Sequence, residues 1–354
     1  MKKYLVFLAA ISAAVVVSCN KNEQVSVSQD GAIIFRSSFA AQTKAPETTN
    51  TNIGSFNVTA IGNGASYFSD LAVTVDGSGN CTTAKTYYWP SYGLSFFAYA
   101  NLSGGTAAIT NASKMVNGVT PDAAAASQKD FVVAYSTGTK AANEASGVAL
   151  NFRHALSQVI IKAKNMSSSG IKIKVKGVKI ANILNSGNFT YPDAVTTPHN
   201  GGTLASSLWN TTGATPADYV ISDATGLTLD GTAQSIMFAG ASWMVVPQDL
   251  TARVSFADAA DHGSSIGVLL QILDKDDGQL YPATAGEYAY SNIPIDTNWE
   301  PGKKYIYTLN FLDEGNDGGA GVDDNDDPVL GKPIKFTLTV DDWVDVVVPD
   351  ITVE

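Results

Sequence analysis

The sequence predicts an all-β fold built from two β-sandwiches in series, and three features of its 354 residues support this. Apolar and polar residues alternate with a period of two in many short segments, as in strands with one buried face. Almost every gap between these segments contains Gly, Asn, Asp, Ser or Pro, which are the usual turn formers. Long helical periodicity is nearly absent, and many short strands at even spacing are typical of sandwiches.

The alternation is clearest in residues 171–176, where apolar residues and lysines strictly take turns. Gly177 then shifts the phase, which predicts a bulge. Residues 250–256, 305–311 and 334–340 repeat the same period. The remaining candidate strands are residues 32–35, 56–61, 71–75, 94–100, 131–135, 148–152, 158–164 and 267–273.

The first 18 residues have the pattern of a lipoprotein signal peptide. Two lysines precede an apolar run from Tyr4 to Val17, which is too short to span a bilayer, and Ser18 then precedes Cys19. We expect cleavage between Ser18 and Cys19, acylation of the Cys19 thiol, and a linker over residues 19–30. Each buried acyl methylene contributes about 0.8 kcal/mol, so two or three chains hold a protein at a membrane. The alternative is an ordinary secretory signal that happens to end in cysteine.

The rest of the chain divides near Gly147. The polar stretch 138–146 ends there, and Val148 opens a new pair of candidate strands. This predicts an N-terminal sandwich over residues 31–147 and a C-terminal sandwich over residues 148–354, with a tail at 344–354.

The charge balance argues against nucleic acid as a partner, because the chain has 22 basic and 33 acidic residues. Removal of Lys2 and Lys3 with the signal peptide would make it more acidic still. Once Cys19 is acylated, Cys81 is the only thiol, so no internal disulfide can form. We interpret Cys81 as a half-buried small residue rather than a nucleophile.

No arrangement of residues predicts an enzyme, a cofactor or a metal site. His154, His199 and His262 are far apart in the sequence and lack metal-ligand spacing, and His154 is interpreted as structural. Residues 274–278 begin like a calcium loop, but the glycine comes one place early, so a hairpin turn is favoured. Incidental calcium binding by the acidic loop 313–327 stays open.

Carbohydrate binding through exposed aromatic residues is a second possible function. Five tryptophans could stack on sugars, although a tryptophan in a sandwich usually lies in the core. They are Trp89, Trp209, Trp243, Trp299 and Trp343.

Several segments together resemble the fimbrillin family, the lipoprotein pilin subunits of Bacteroidales bacteria. Their order and spacing extend across nearly the whole chain. The segments are Cys19, residues 31–35, 43–45, 56–60, 86–90, 94–99, 130–134, 148–159, 244–248 and 299–305, and Trp343.

This resemblance implies transthyretin-like sandwiches, an outer-membrane lipoprotein stage at the cell surface, and polymerisation with other fimbrillin subunits into a fimbria. In such subunits a protease cuts the loop after the first strand, and a C-terminal strand of another subunit fills the groove that is left. On this chain the implied cut lies between Lys44 and Ala45, or less favourably after Arg36. The implied cleavable strand contains Ala32, Ile33, Ile34 and Phe35. The implied donor residues are Val344, Val346, Val348, Ile351 and Val353.

Two functions therefore remain in competition. The first is a structural pilus subunit or tip adhesin assembled by strand exchange. The second is a monomeric surface lipoprotein that binds glycan through exposed tryptophans. A host glycan or protein stays open as a partner in either case. Residues 344–348 of the tail are equally compatible with donation to another subunit and with pairing at the edge of this protein's own sheet.

Overall fold

The computed structural model describes residues 31–38, 48, 52–193, 204–316, 318–331 and 334–342, and strands are the main regular element of these residues. The predicted all-β class is confirmed. The strands before Gly147 are β1 (Phe35–Ser38), β2 (Ser55–Gly62), β3 (Ala65–Val75), β4 (Cys81–Thr83), β5 (Leu94–Ala100), β6 (Gly104–Ile109), β7 (Lys114–Val119) and β8 (Val132–Gly138).

One helical turn, α1 (Lys140–Asn143), precedes the second group of strands, and the Thr139 hydroxyl caps it by accepting from the Ala142 N–H. The described part of the chain also contains four short 3-10 turns, at Ala125–Ser127, Ser206–Leu208, Glu314–Asn316 and Val329–Gly331. The later strands are β9 (Val148–Asn151), β10 (Arg153–His154), β11 (Ser157–Asn165), β12 (Lys172–Leu184), β13 (Gly187–Thr190), β14 (Trp209–Asn210), β15 (Pro216–Thr228), β16 (Gln234–Ser235), β17 (Trp243–Val245), β18 (Gln248–Asp249), β19 (Ser265–Leu273), β20 (Gln279–Tyr281), β21 (Ala289–Pro294), β22 (Asn298–Trp299), β23 (Lys303–Phe311) and β24 (Lys335–Asp342).

A six-stranded sheet with the order β10-β8-β5-β2-β3-β4 is the centre of the first half of the chain. Its central strands β2, β5 and β8 are buried on both faces. Phe96 on β5 packs into one core together with β1 and β9, and the next residue, Phe97, packs into a second core on the opposite face. That second face is covered by the sheet β14-β13-β7-β6.

A third core lies between two five-stranded sheets of the second half. One contains β16, β11, β23 and β24, with β17 also paired to β11. The other contains β15, β12, β19 and β20, with β21 also paired to β19. The fully buried rings of Trp243, Trp299 and Tyr307 fill this core.

Strands on either side of Gly147 pair with one another. β9 pairs with β1, β10 pairs with β8, and β13 pairs with β7. The boundary between residues 147 and 148, and the two transthyretin-like sandwiches in series, stay predictions.

Several local predictions are confirmed. The register shifts between Val175 and Gly177, as expected for a bulge. The hairpin turn between β19 and β20 is closed by the Asp274 N–H, which donates to the Gly278 carbonyl at 2.8 Å.

The prediction of a strand over residues 250–256 is wrong, because these residues form a loop after β18. Side chains form hydrogen bonds with peptide groups that would pair with a neighbouring strand if this segment were a strand. The Asp261 carboxylate accepts from the Val254 N–H at 2.6 Å, and Arg253 Nε donates to the Ser255 carbonyl at 2.9 Å. The side chain of Val254 is 90% exposed as a result.

Candidate functional site

The predicted cleavable strand is β1, which pairs with a neighbour along one edge through β9. The two strands are parallel, and Phe35 lies opposite Val148. The Val148 N–H donates to the Ile34 carbonyl at 2.9 Å, and the Phe152 N–H donates to the Ser38 carbonyl at 3.0 Å. Regular pairing begins at Phe35, three residues later than predicted.

The opposite edge of β1 and the residues before it contact the segment that includes β4. The Ile33 N–H donates to the Tyr87 carbonyl at 2.8 Å, and Arg36 forms an antiparallel bridge with Asn80. The strand is therefore inserted between two segments. Its removal would leave peptide groups unpaired on both of them, and unpaired peptide groups are costly when buried.

The side chain of Phe35 lies in an aromatic cluster of the first core. Its ring centroid is 5.7 Å from that of Phe96, 6.4 Å from that of Phe56 and 6.5 Å from that of Phe68, all in edge-to-face geometry. Ile33 is equally buried. Loss of β1 would therefore open a groove lined by phenylalanine rings.

Gly147 allows β1 to approach closely at the start of β9. Its φ is +74°, a conformation that favours glycine. A Cβ atom there would lie 3.1 Å from Ile34 Cγ1 and 3.3 Å from the Ile34 carbonyl oxygen. The residue at the predicted domain boundary thus serves the packing of the first strand.

Thr48, the first described residue after the predicted cut, is bound to the buried side chain of Asp130. Its N–H donates to Asp130 Oδ2 at 2.9 Å, and its hydroxyl accepts from Asn101 Nδ2 at 2.7 Å. The same Asp130 oxygen lies 2.8 Å from His154 Nδ1. The structural interpretation of His154 is supported, but its partner is 24 residues away, so no local pattern could show the pair.

Of the two predicted cut sites, only Arg36 lies within the described residues. Arg36 is inside the paired strand β1 and is partly buried. Ser18, Cys19, Lys44 and Ala45 lie outside the described residues, as do the donor positions Val344, Val346, Val348, Ile351 and Val353.

β24, which leads into the predicted donor tail, pairs only with β23 among the described strands. The register places Leu338 opposite Tyr307 and Val340 opposite Tyr305, on the side of the sheet that faces the third core. Leu338 is nevertheless 36% exposed and Val340 48% exposed. The strand therefore offers a partly bare apolar stripe at a sheet edge.

The tryptophans do not form a sugar-binding platform in the described part of the chain. Trp89, Trp209, Trp243 and Trp299 are all buried, which corrects the expectation that they could stack on sugars, and Trp343 lies outside the described residues. The tryptophans are core residues because each is the largest ring available to fill a sandwich interior.

Carboxylates of the acidic loop 313–327 bind nearby peptide groups. Asp323 Oδ1 accepts from the N–H groups of Asn325 and Asp327, at 2.8 and 3.0 Å. Asp326 accepts from the Ser255 hydroxyl and the Phe256 N–H, and these bonds hold the pKa of Asp326 below its usual value. Among the described residues, no three His, Cys, Asp or Glu side chains come together as metal ligands. Calcium binding by this loop stays an open prediction.

Within the described residues, no helix has the length and apolar character needed to cross a membrane.

A sequence model of the Fimbrillin-like family matches residues 41–343. A comparison with curated proteins gave no match. A fimbrial protein from Bacteroides vulgatus ATCC 8482 is similar in structure, with a TM-score of 0.56 at 15% identity, over 88% of this chain and 99% of that one.

Two further solved structures match less closely. A candidate cell adhesion protein from Bacteroides uniformis ATCC 8492 has a TM-score of 0.48 at 16% identity, over 89% of this chain and 100% of that one. A candidate cell adhesion protein from Bacteroides ovatus ATCC 8483 has a TM-score of 0.45 at 16% identity, over 88% of this chain and 97% of that one.

Proposed function

Because this chain belongs to the Fimbrillin-like family, we propose that it is a lipoprotein pilus subunit or tip adhesin assembled by proteolysis-triggered strand exchange. Membership of the family confirms the expectation that the chain is not an enzyme. It also gives the chain a role at the cell surface, in a pilus or in adhesion, together with other pilin subunits.

The observation that carries the proposal is the position of β1. A strand that pairs with β9 along one edge, is bridged to Asn80 at the other, and places Phe35 among three phenylalanine rings leaves a groove when it departs. A donated strand with apolar residues at alternate positions restores both the backbone pairing and the aromatic packing. The tail supplies Val344, Val346 and Val348 in that spacing.

Thr48 supports the direction of the exchange. A cut between Lys44 and Ala45 separates β1 from Thr48, which stays bound to the folded protein through Asp130. The strand before the cut is then the part that leaves. Cleavage after Arg36 requires β1 to open first, because that residue lies inside the paired strand.

Cys19 anchors the precursor in the proposed pathway. Acylation at Cys19 holds the subunit at the outer membrane until the cut at residue 44 severs the link between the lipid and the folded chain.

The test is limited trypsin digestion of the purified mature protein, followed by intact mass measurement and binding of a synthetic peptide of residues 344–354. We expect a cut after Lys44, loss of the segment before it, and binding of the peptide only after that loss. K44Q should block both steps, whereas R36Q should block neither.

The matched control peptide carries Asp in place of Val346 and Val348, and it should not bind. If the peptide binds the uncut protein equally well, or if the cut protein keeps β1 and stays monomeric, strand exchange is wrong for this chain. A stable monomer would then favour the surface-lipoprotein alternative.

A further inference from the structure

The outer face of β12 carries a line of lysines in an otherwise acidic protein. Lys172, Lys174 and Lys176 occupy alternate positions, and Lys179 continues the line after the Gly177 bulge. Alternate residues of a strand are about 7 Å apart, so these lysines are attached to the strand at regular intervals. The residues between them are buried in the third core.

Three of these lysines form no ion pair within the described residues. Lys172 is paired with Asp277 at 2.8 Å. Lys174, Lys176 and Lys179 make no ion pair there, although acidic residues outnumber basic ones by 33 to 22 in the chain. The positive charges of Lys176 and Lys179 are therefore available to an external anion, whereas Lys174 also acts on Asp277 and helps to lower the pKa of that carboxyl.

Two tyrosine rings accompany the unpaired lysines. The Lys176 ammonium lies 4.5 Å from the ring centroid of Tyr288, and the Lys179 ammonium lies 4.2 Å from that of Tyr290. Both rings are partly exposed. Val220 on β15 lies opposite Lys179 and is 47% exposed, so an apolar contact borders the same face.

Gly267 on β19 makes this arrangement possible. It lies opposite Lys179 in the sheet, and a Cβ atom at this position would come within 2.7 Å of Lys179 Cε. Because no side chain is there, the lysine stem lies across β19 and reaches the tyrosine on β21.

We propose that this face, centred on Lys176, Lys179, Tyr288 and Tyr290, binds an anionic polysaccharide. The ammonium groups would contact carboxylate or sulfate groups repeated along the polymer, and the rings would pack against the apolar faces of its sugars. The inference rests on the surface location in the proposed function but not on strand exchange.

The rings and the apolar border favour a polysaccharide over an acidic protein segment, which would need only the charges. The acidic loop of a second copy is a poor occupant, because the carboxylates of Asp323, Asp324 and Asp326 already accept hydrogen bonds within their own chain. Asp324 Oδ1 accepts from Asn292 Nδ2 at 2.9 Å, and Asp323 and Asp326 accept from peptide N–H groups.

The test measures binding of oligogalacturonate to the uncut mature protein by calorimetry, with neutral dextran and poly-L-glutamate as comparison polymers. We expect oligogalacturonate to bind, dextran to fail, and binding to weaken as salt is raised. K176Q/K179Q should weaken binding about tenfold, because it removes both unpaired charges at the centre of the face.

Two variants separate the rings from the charges. Y288L/Y290L keeps every lysine. It should weaken the binding of oligogalacturonate and leave any binding of poly-L-glutamate unchanged. K162Q/K164Q removes two lysines from β11, on another sheet, and should bind like the wild type. Thermal unfolding checks that each variant is folded.

The proposal is overturned if no oligogalacturonate binds, if dextran binds equally, or if Y288L/Y290L has no effect. Equal binding of poly-L-glutamate that depends only on the lysines would assign the face to an acidic protein segment instead. Since uncut monomer is used, these outcomes do not depend on whether the subunit polymerises.

Discussion

The Nδ1 atom of His154 lies 2.8 Å from Oδ2 of Asp130, and both side chains are almost completely buried. The same oxygen accepts the Thr48 N–H at 2.9 Å. A single carboxylate therefore joins strand β10, the residues before β8 and the chain that follows the predicted cut. Asp130 therefore connects the folded core to Thr48, the first described residue after the predicted cut.

Asp130→Ala should destabilise the protein by about 3–5 kcal/mol, because the buried His154 ring and the Thr48 N–H lose their hydrogen-bond partner. Asp130→Asn should cost less, since the amide keeps the volume and one acceptor oxygen. Urea unfolding measures both changes. Asp249→Ala, at an exposed position, is the matched control, and equal stability of the two alanine variants would contradict the role of Asp130.

Phe35→Ala should destabilise the uncut protein by about 3–5 kcal/mol, because it leaves a cavity between the rings of Phe56, Phe68 and Phe96. Tyr88→Ala removes a ring that is 55% exposed and should change stability by less than about 0.5 kcal/mol. Denaturant unfolding distinguishes them. A Phe35→Ala variant as stable as Tyr88→Ala would mean that β1 is not packed in solution.

Cys81 should report the departure of β1. Burial raises the pKa of its thiol, and its sulfur lies 3.9 Å from the Ser37 hydroxyl on β1. Release of β1 exposes the thiol, so the rate of alkylation by iodoacetamide at pH 8 should rise about tenfold or more after trypsin cleavage. In the mature protein Cys19 is proposed to be acylated, which leaves Cys81 as the reacting thiol.

The control for this measurement is K44Q, which should keep the slow rate under the same digestion. A fast rate before any cleavage would show that β1 does not cover Cys81 in solution.

The contact between Asp326 and residues 255–257 should be lost in acid. Hydrogen bonds from the Ser255 hydroxyl and the Phe256 N–H lower the pKa of Asp326. A carboxylate with a lowered folded-state pKa stabilises the fold above its unfolded pKa, near 3.9, and this contribution disappears as the pH falls through the lower folded value. NMR titration of the Phe256 amide should show a midpoint below the unfolded pKa.

Asp326→Asn should abolish that titration and shift the Phe256 amide at every pH. A Phe256 midpoint at or above the unfolded value would contradict the hydrogen bond from its N–H to the carboxylate.

Strand β12 shows how far local sequence can predict this fold. Its lysines and apolar residues alternate because one face of the sheet is wet, and Gly177 marks the bulge. β15 shows the opposite case. It pairs with β12 over residues 216–228, but it is largely exposed and polar, so no apolar alternation revealed it.

The sequence by itself determined the strand-rich class, the turns, the signal-peptide pattern and the family resemblance, because these depend on residues close together along the chain. Only the tertiary structure decided that Phe35 lies among three distant phenylalanines, that Asp130 meets His154 and Thr48, and that Tyr288 and Tyr290 lie beside Lys176 and Lys179. The tryptophans show the same division. Their positions in the chain allowed either stacking on sugars or burial, and packing between sheets placed the four described ones inside. Burial and long-range pairing arise when sheets close on one another, so they cannot be read from local spacing.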